Sequence, residues 1–143
     1  MSQTIARPVP PASALSAAYW EGAAAGRLLI QRCTGCGMLR HYPRLLCSSC
    51  YSTAVDWVEA SRRGAIHSWT VAHHAYHPSF AAELPYILVT VDLDEGVRAL
   101  GRWRGDTPTI GQQVHGRFEA REGGVDLVFT PEKTLNKSLE CGL

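Results

Sequence analysis

The chain has 143 residues, 45% of them hydrophobic, and a formal net charge of +1. This length suits one or two small domains and excludes a large catalytic domain. The near-neutral charge supplies no general attraction for nucleic acid or for an acidic membrane surface. The N-terminus lacks the basic and apolar regions of a signal peptide, and no apolar run reaches membrane-spanning length. We therefore expect a cytoplasmic protein with reduced thiols.

Residues 1–27 are predicted to form an N-terminal arm followed by a helix. Three prolines within residues 1–11 favour an irregular, mobile arm. An alanine-rich segment then predicts a helix over residues 13–25. Ser13 is a suitable N-cap for this helix, and Gly26 is a suitable stop.

Four cysteines form two Cys-x-x-Cys pairs with ten residues between them: Cys33, Cys36, Cys47 and Cys50. Each such turn directs two sulfurs toward a common centre, so two turns can complete a tetrahedron around one metal ion. Because cysteines fill all four positions, no open position remains for water or substrate. Residues 28–63 are therefore predicted to form a rubredoxin-like zinc ribbon that holds one structural Zn²⁺.

Two alternatives apply to the same four cysteines. A pair of disulfides would require an oxidising compartment, which nothing else in the sequence indicates. Iron in place of zinc would make the ribbon a rubredoxin-like electron carrier, and the cysteine pattern alone does not distinguish the two metals.

The rest of the ribbon contains few decisive signals. Arg40, His41 and Arg44 place charge at its tip, and solvated surface is the expected role of Arg40 and His41. Segment 52–63, which contains Trp57, is predicted to link the ribbon to a second unit.

After Gly64 the pattern of apolar residues changes to a period of two, which is typical of half-buried strands. Five strands in so short a segment must avoid bare edges, and a small closed barrel does so. Residues 64–131 are therefore predicted to form a five-stranded antiparallel OB-fold barrel, followed by a polar tail over residues 132–143. The predicted strands cover residues 65–75, 86–93, 97–104, 113–121 and a final stretch that ends near residue 130.

Two hairpins predict the register of the barrel. A loop over residues 94–96 pairs Val91 with Ala99, so that apolar residues oppose each other. A turn at Gly123-Gly124 places Arg121 opposite Asp126 and Phe118 opposite Phe129.

Three aromatic residues are candidates for contact with a partner. Tyr19 and Trp20 are adjacent on the predicted helix, where packing against the ribbon or barrel is the alternative. Phe80 lies in the predicted loop between the first two barrel strands. Pro78 and Pro85 bracket this loop and would stiffen it.

Several short motifs occur together in a characteristic order, and together they resemble a known family. That family, the acyl-CoA-associated domain of unknown function thirty-five, joins a zinc ribbon to an OB-fold. The resemblance covers roughly residues 19–131, and one departure from the pattern is Ser48, where many members carry proline. The motifs are Tyr19-Trp-Glu-Gly22, Gly26-x-Leu28, Gln31-Arg-Cys33-x-x-Cys36-Gly37, Tyr42-Pro-Arg44-x-x-Cys47-x-x-Cys50, Gly64, Ser68-x-Thr70, Pro85-Tyr86 and Val91-x-Leu93-x-Glu95-Gly96-Val97-Arg98.

The resemblance implies an accessory subunit that works beside a thiolase-fold protein. Such partners make or break carbon–carbon bonds in acyl-CoA substrates, as thiolases, acyltransferases, aldolases or synthases. The accessory subunit is implicated in assembling the complex and in enclosing or guiding the CoA thioester. The residues expected to contact the partner or acyl-CoA are Tyr19, Trp20, Arg44 and Phe80.

No catalytic set is visible in the sequence, so we expect no catalysis by this chain alone. The pattern His73-His74-x-x-His77 fits no familiar metal site, and Cys141 is expected to be a free surface thiol. The alternative function is a module that binds single-stranded nucleic acid, since ribbons and OB-folds both serve that role. The low net charge argues against this alternative.

Five arginines fall on the predicted outer faces of the barrel strands. Cross-strand acids such as Glu119 and Asp126 would pair with them on a solvated face, and the alternative is that some of them contact CoA phosphates or an acidic surface of the partner. The five are Arg98, Arg102, Arg104, Arg117 and Arg121.

Overall fold

The computed structural model describes residues 5–132 and has one short α-helix, a three-stranded sheet and a closed five-stranded barrel. The predicted mainly β fold is therefore confirmed. Cys141 and the polar tail beyond residue 132 lie outside the described residues. The elements are α1 (Ala17–Ala24), β1 (Leu29–Cys33), β2 (Leu39–Arg40), β3 (Val55–Glu59), β4 (Arg63–Ala72), a 3₁₀ helix (Pro78–Glu83), β5 (Tyr86–Leu93), β6 (Arg98–Trp103), β7 (Gln113–Arg121) and β8 (Gly124–Pro131).

The N-terminal arm is irregular, as predicted, but it is anchored to the barrel rather than free. The guanidinium of Arg7 forms ion pairs with Glu83 and with Asp126, the latter at 3.0 Å. The same guanidinium lies over the ring of Phe80, 4.9 Å from its centroid. A single arginine therefore fixes the arm to two parts of the barrel that are distant in sequence.

Helix α1 begins at Ala17, later than the predicted start at Ser13. The hydroxyls of Ser13 and Ser16 lie 3.0 Å apart, and the Ser16 N–H donates to the Ser13 hydroxyl at 3.2 Å. These local side-chain bonds stabilise a turn that precedes the helix, because serine hydroxyls compete for backbone groups. The helix ends at Ala24, one residue before the predicted end, and the predicted stop Gly26 follows with a φ of +78° in the left-handed region.

The ribbon contains a three-stranded antiparallel sheet in the order β2-β1-β3. Its third strand comes from segment 52–63, so the prediction that this segment is only a link was wrong. Val55 and Trp57 are half-buried while Asp56 is exposed, which is the alternation of a strand with one covered face. Strand β3 pairs with β1 over its whole length and brings the chain back toward the barrel.

The barrel closes in the strand order β4-β5-β6-β8-β7. Four of the five pairs are antiparallel, as predicted, but β6 and β8 pair in parallel through Arg102 with Val128 and Trp103 with Phe129. This single parallel contact closes the barrel. No helix within residues 5–132 is long and apolar enough to cross a membrane. The buried core includes Leu28, Ile30, Ile66, Val89, Val91, Leu93, Ala99, Trp103, Val114 and Phe129.

The first predicted hairpin register is confirmed and the second is wrong by two residues. Val91 pairs with Ala99, as predicted. At the second hairpin Arg121 pairs with Gly124 and Phe118 pairs with Leu127, because the turn residues are Glu122 and Gly123. A shift of two residues leaves every side chain on its predicted face.

Strand β4 also differs from its prediction. It covers Arg63–Ala72 rather than residues 65–75, and the following segment contains the 3₁₀ helix Pro78–Glu83. The ring nitrogen Nδ1 of His77 accepts a hydrogen bond from the N–H of Ser79 at 3.2 Å and caps this short helix. His77 therefore has a local structural role.

Candidate functional site

The four cysteines converge on one point at the end of the ribbon. All four Sγ atoms lie within 4.8 Å of one another. The Sγ atoms of Cys33 and Cys50 are 3.5 Å apart, and those of Cys36 and Cys47 are 3.6 Å apart. Zinc–sulfur bonds of about 2.3 Å give a tetrahedron with edges of about 3.8 Å, so the cluster fits one zinc ion. The four cysteines are thus positioned to bind one metal ion.

The two Cys-x-x-Cys turns have the same backbone construction. The Gly37 N–H donates to the Cys33 carbonyl at 2.8 Å, and the Tyr51 N–H donates to the Cys47 carbonyl at 3.0 Å. Gly37 and Tyr51 both have a left-handed φ, +80° and +61° respectively. Glycine adopts this φ without strain, whereas a tyrosine must be held there by its surroundings.

Backbone amides favour the thiolate forms of two cysteines. The Cys36 N–H lowers the pKa of Cys33, and the N–H groups of Cys50 and Ser49 lower the pKa of Cys47 to about 6. At Cys50 the Ser52 N–H also favours the thiolate, but the neighbouring sulfurs outweigh it and raise the pKa to about 11. Four adjacent thiolates repel one another, so a dication between them is needed to keep all four deprotonated. This donor set fits zinc.

A buried polar network lies directly behind the first Cys pair. The side chain of Gln31 is only 1% exposed, and its Oε1 accepts hydrogen bonds from Arg40 Nε at 2.7 Å and from the Arg44 N–H at 2.8 Å. Arg40 also donates to the Arg44 carbonyl at 2.9 Å. The predicted solvated role of Arg40 was therefore wrong, because β1–β2 pairing places Arg40 opposite a buried glutamine.

His41 is also covered rather than solvated, so this second part of the prediction was wrong as well. Its ring lies 4.0 Å from that of Tyr42 and 5.6 Å from that of Tyr19, centroid to centroid. Both ring nitrogens are buried without a hydrogen-bond partner among residues 5–132, and this burial lowers the pKa of His41 to about 4. The hydroxyl of Tyr42 accepts a hydrogen bond from the Leu100 N–H at 2.9 Å and so joins the ribbon to strand β6.

The structure brings together three of the four residues expected to contact a partner or acyl-CoA. Tyr19, Trp20 and Phe80 line one cavity of about 320 Å³ between α1, the arm and the barrel. Tyr19 also packs against the core, and burial raises the pKa of Tyr19 to about 12. Phe80 is half-buried beneath Arg7 instead of exposed in a loop. The fourth residue, Arg44, lies apart from the cavity on the exposed surface of the ribbon.

The arginines around this cavity are paired with acids. Arg102 bonds to both carboxylate oxygens of Glu83 at 3.2 Å, and Arg121 bonds to Asp126 at 2.8 Å. Elsewhere on the barrel, Arg98 pairs with Asp92, and Arg104 and Arg117 both pair with Glu119. All five outer-face arginines pair with acids, as predicted, but not all of these acids are cross-strand. Arg98 and Arg121 pair with acids of a neighbouring strand, whereas Glu83 lies in the 3₁₀ helix and Glu119 lies on the same strand as Arg117.

Sequence reasoning missed the residues that connect the ribbon to the barrel. Tyr42 makes this connection, His41 packs between Tyr42 and Tyr19 of α1, and Arg62 donates to the Gly26 carbonyl at the end of α1 at 2.8 Å. The one available signal was the aromatic pair at positions 41 and 42, since such rings are favoured where two elements pack.

Models of one known family match consecutive parts of the chain. Residues 20–56 match the ChsH2 rubredoxin-like zinc ribbon domain, and residues 57–119 match the ChsH2 C-terminal OB-fold domain. Together the two matched ranges include the four cysteines and most of the barrel. They also include Tyr42 and Leu100, which join the ribbon to the barrel.

Among curated proteins, three relatives are informative. A probable enoyl-CoA hydratase alpha subunit of Thermomonospora curvata is 42% identical over 102 residues, 71% of this chain and 31% of the relative. A DUF35 domain-containing scaffold protein of Methanocaldococcus jannaschii is 31% identical over 69% of this chain and 73% of the relative. The benzoylsuccinyl-CoA thiolase subunit BbsA of Geobacter metallireducens is 32% identical over 54% of this chain and 51% of the relative. The chain thus spans about a third of the hydratase relative.

Among solved structures, a chain of the Ltp2-ChsH2(DUF35) aldolase has a similar fold over most of its length. It superposes with a TM-score of 0.77 and 38% sequence identity, over 87% of this chain and 99% of that chain. The order of ribbon and barrel, the four-cysteine cluster and these matches agree. The chain belongs to the DUF35 family, with the zinc ribbon and OB-fold of its ChsH2 members.

Proposed function

We propose that this chain is a non-catalytic accessory subunit of a thiolase-superfamily acyl-CoA enzyme in the cytoplasm, where it assists complex assembly and acyl-CoA binding. The observation that carries this proposal is the structural similarity to a chain of the Ltp2-ChsH2(DUF35) aldolase, which covers 87% of this chain and 99% of that chain. The similarity to a subunit named for benzoylsuccinyl-CoA thiolase supports the same class of partner. Thiolase, acyltransferase and aldolase chemistry all fall within the proposal.

The zinc centre supports a structural role within such a complex. Zinc in a four-thiolate site supplies folding free energy to the ribbon and has no open position for a substrate. Cys33, Cys36, Cys47 and Cys50 would hold it. The reacting groups would then belong to the partner, and this chain would contribute shape and binding surface.

The cavity between α1 and the barrel is the place where we propose contact with acyl-CoA. Its walls combine aromatic and aliphatic side chains, including Trp20, Tyr86 and Leu88, with the guanidinium of Arg102. Because Arg102 and Arg121 are already paired with acids, the cavity has little unpaired positive charge for CoA phosphates. The apolar part of the thioester would lie here, and the partner would hold the phosphates.

A hydratase complex is the second candidate, favoured by one specific observation. The relative with 42% identity is named as an alpha subunit of a probable enoyl-CoA hydratase, and this chain matches about a third of it. In that case the partner would be a hydratase subunit instead of a thiolase-fold subunit. The identity of the co-purifying protein distinguishes the two candidates.

Co-expression tests the proposal directly. The chain should be produced with a candidate thiolase-fold protein of the same organism, and the mixture examined by size-exclusion chromatography with light scattering and by a CoA-release assay. We expect a stable hetero-oligomer, no turnover by this chain alone, and higher turnover by the complex than by the partner alone. Enzyme-like turnover of acyl-CoA by this chain alone would refute the accessory role. Separate elution, with unchanged partner activity, would refute the association.

Single-stranded nucleic acid is the alternative ligand. The net charge of +1 and the inward placement of Trp103 and Phe129 predict binding no stronger than that of an ordinary neutral protein. Fluorescence anisotropy with a labelled oligonucleotide at two salt concentrations measures this. Submicromolar binding that weakens with salt would support the alternative.

A further inference from the structure

Large apolar side chains are concentrated on the surface of the ribbon around the second Cys-x-x-Cys turn. Leu45 is 66% exposed and Tyr51 is 75% exposed, and Met38 and Leu46 are exposed as well. Contiguous exposed apolar groups on a protein of this size indicate an interaction site. We name Met38, Arg44, Leu45, Leu46 and Tyr51 the knuckle face.

Contacts show that these residues surround a single turn. Met38 Sδ lies 4.0 Å from Cys47 Sγ and 3.7 Å from the Ser48 hydroxyl, so it covers one side of the turn. The Tyr51 N–H bonds to the Cys47 carbonyl and closes the other side. Leu45 and Leu46 lead directly into Cys47. The exposed residues of the knuckle face therefore all lie close to this one turn.

The charge of the knuckle face is positive and weak. No aspartate or glutamate occurs between Cys33 and Val55 in the sequence. Arg40 is buried against Gln31, whereas Arg44 is exposed and its side chain has no hydrogen-bond or ion-pair partner among residues 5–132. The exposed arginines Arg98, Arg104 and Arg117 of the barrel, by contrast, all have acid partners.

The knuckle face is also held rigid. The turn beneath it is closed by backbone hydrogen bonds, and its two cysteines belong to the metal centre. Apolar groups on a rigid backbone lose little conformational entropy when they bind, which increases affinity. Its exposure is not needed for metal binding, because the cysteine sulfurs alone fill the tetrahedron.

We infer that the knuckle face docks onto the thiolase-fold subunit, an inference that rests on the proposed function. The matching surface of the partner is apolar and presents a carboxylate to Arg44. A second copy of this chain is a poorer occupant, since two knuckle faces would bring together two arginines and no acid. The knuckle face is thus the anchor of the complex, separate from the cavity at α1.

A matched pair of double variants tests the inference with the full-length chain and the thiolase-fold partner. L45S/Y51S removes apolar groups from the knuckle face, and Y76S/I110S removes equally exposed ones, 87% and 69% exposed, from the barrel. Isothermal titration calorimetry gives the dissociation constant, and metal analysis confirms that each variant keeps its zinc. We expect L45S/Y51S to weaken binding by ~100-fold and Y76S/I110S by less than ~3-fold, as for anchor and non-anchor residues. R44A should weaken binding by ~10-fold and R117A should not, because Arg117 already pairs with Glu119 whereas Arg44 has no acid partner among residues 5–132.

Each outcome has a distinct meaning. Tight binding by the wild type with equal losses in the two double variants, or with none, overturns the knuckle face as the docking surface and leaves the proposed function intact. No binding by the wild type refutes the proposed function itself. If this chain alone forms a homodimer and L45S/Y51S dissociates it, the thiolase-fold subunit is not the occupant of the knuckle face, and the face belongs to a second copy.

Discussion

The barrel and the ribbon differ in what they bury. The barrel encloses Val89, Val91, Val114 and Phe129 in a continuous apolar core. The buried groups of the ribbon tip are sulfur, an amide and a guanidinium, and its large apolar residues face outward. A region that is stabilised by a metal and hydrogen bonds leaves its apolar side chains available for other uses. Folding and recognition can thus depend on different residues of the same ribbon.

Removing one zinc ligand should produce the largest effect and should separate the two regions. We expect Cys33→Ser to abolish stoichiometric metal binding and to unfold the ribbon tip, because structural zinc contributes roughly 10 kcal/mol or more to such small units. The barrel should keep a cooperative melting transition, since its core holds no cysteine. Metal analysis and calorimetry measure the two effects. Retention of one zinc per chain would contradict the assignment, and Ser49→Ala is the matched control.

A cavity in the barrel should have the next largest effect, and it should leave the zinc in place. Phe129 is fully buried, so Phe129→Ala should destabilise the chain by about 3–5 kcal/mol. Denaturant unfolding gives the free energy, and metal analysis checks the ribbon. Loss of zinc from the folded variant would show that the two regions are not independent.

Gly116, which packs against the Phe129 ring, allows a second test of the barrel core. A Cβ at Gly116 would lie 2.8 Å from the Phe129 ring, with side-chain atoms as its nearest neighbours. Gly116→Ala should therefore destabilise the wild type through crowding, by about 1–3 kcal/mol. The same change should cost less in a Phe129→Leu background, because the smaller side chain leaves space. Additive effects of the two changes would contradict this packing argument.

Much of this contrast between barrel and ribbon was visible in the sequence, because both depend on local patterns. Alternation of apolar residues predicted strand β7 at Gln113–Arg121 with its observed bounds, and spacing predicted the cysteine cluster. The turn at Gly123-Gly124 was placed wrongly because two adjacent glycines fit either position of the hairpin. The burial of Arg40 and the anchoring of Arg7 were not predictable. The burial of Arg40 depends on its pairing across strands β1 and β2 with Gln31, nine residues away, a polar residue whose own burial no sequence pattern indicates. The partners of Arg7 are 76 and 119 residues away and are brought close only by the completed fold.

The packing of the ribbon against α1 should be sensitive to acid through His41, whose ring lies between those of Tyr19 and Tyr42. Burial lowers its pKa to about 4 in the folded chain, whereas the unfolded value is about 6.5. Between these pH values the unfolded state binds more protons, so stability falls as the pH drops from 6.5 to 4. The loss should reach ~3 kcal/mol, from 1.36 kcal/mol per pKa unit. Above pH 6.5 this contribution should not vary.

A variant without the titratable ring isolates this contribution. His41→Phe keeps a ring between Tyr19 and Tyr42 and retains all four cysteines, so loss of zinc in acid affects it and the wild type alike. Urea unfolding of both proteins at several pH values gives the difference in stability. We expect this difference to grow as the pH falls from 6.5 to 4. A difference that stays constant with pH would show that His41 is protonated as easily in the folded chain as in the unfolded one.

The smallest effect should come from the arm. Burial tends to raise the pKa of Glu83, but Arg102 and Arg7 outweigh this effect and hold the pKa below its usual value. Because Arg102 remains as a partner of Glu83, Arg7→Ala should lower the free energy of unfolding by only about 1 kcal/mol, typical of a partly exposed ion pair with a cation–π contact.

The position of the arm should nevertheless change in this variant. Within residues 5–132, Arg7 makes every ion pair between the arm and the barrel. Hydrogen exchange and limited proteolysis should therefore show a released arm in Arg7→Ala at almost unchanged thermal stability. Arg27→Ala, which breaks an exposed ion pair to Glu59 on the ribbon, should leave the arm protected. Equal protection of the arm in both variants would mean that apolar contacts such as that of Val9 with Gly123, not Arg7, hold it in place.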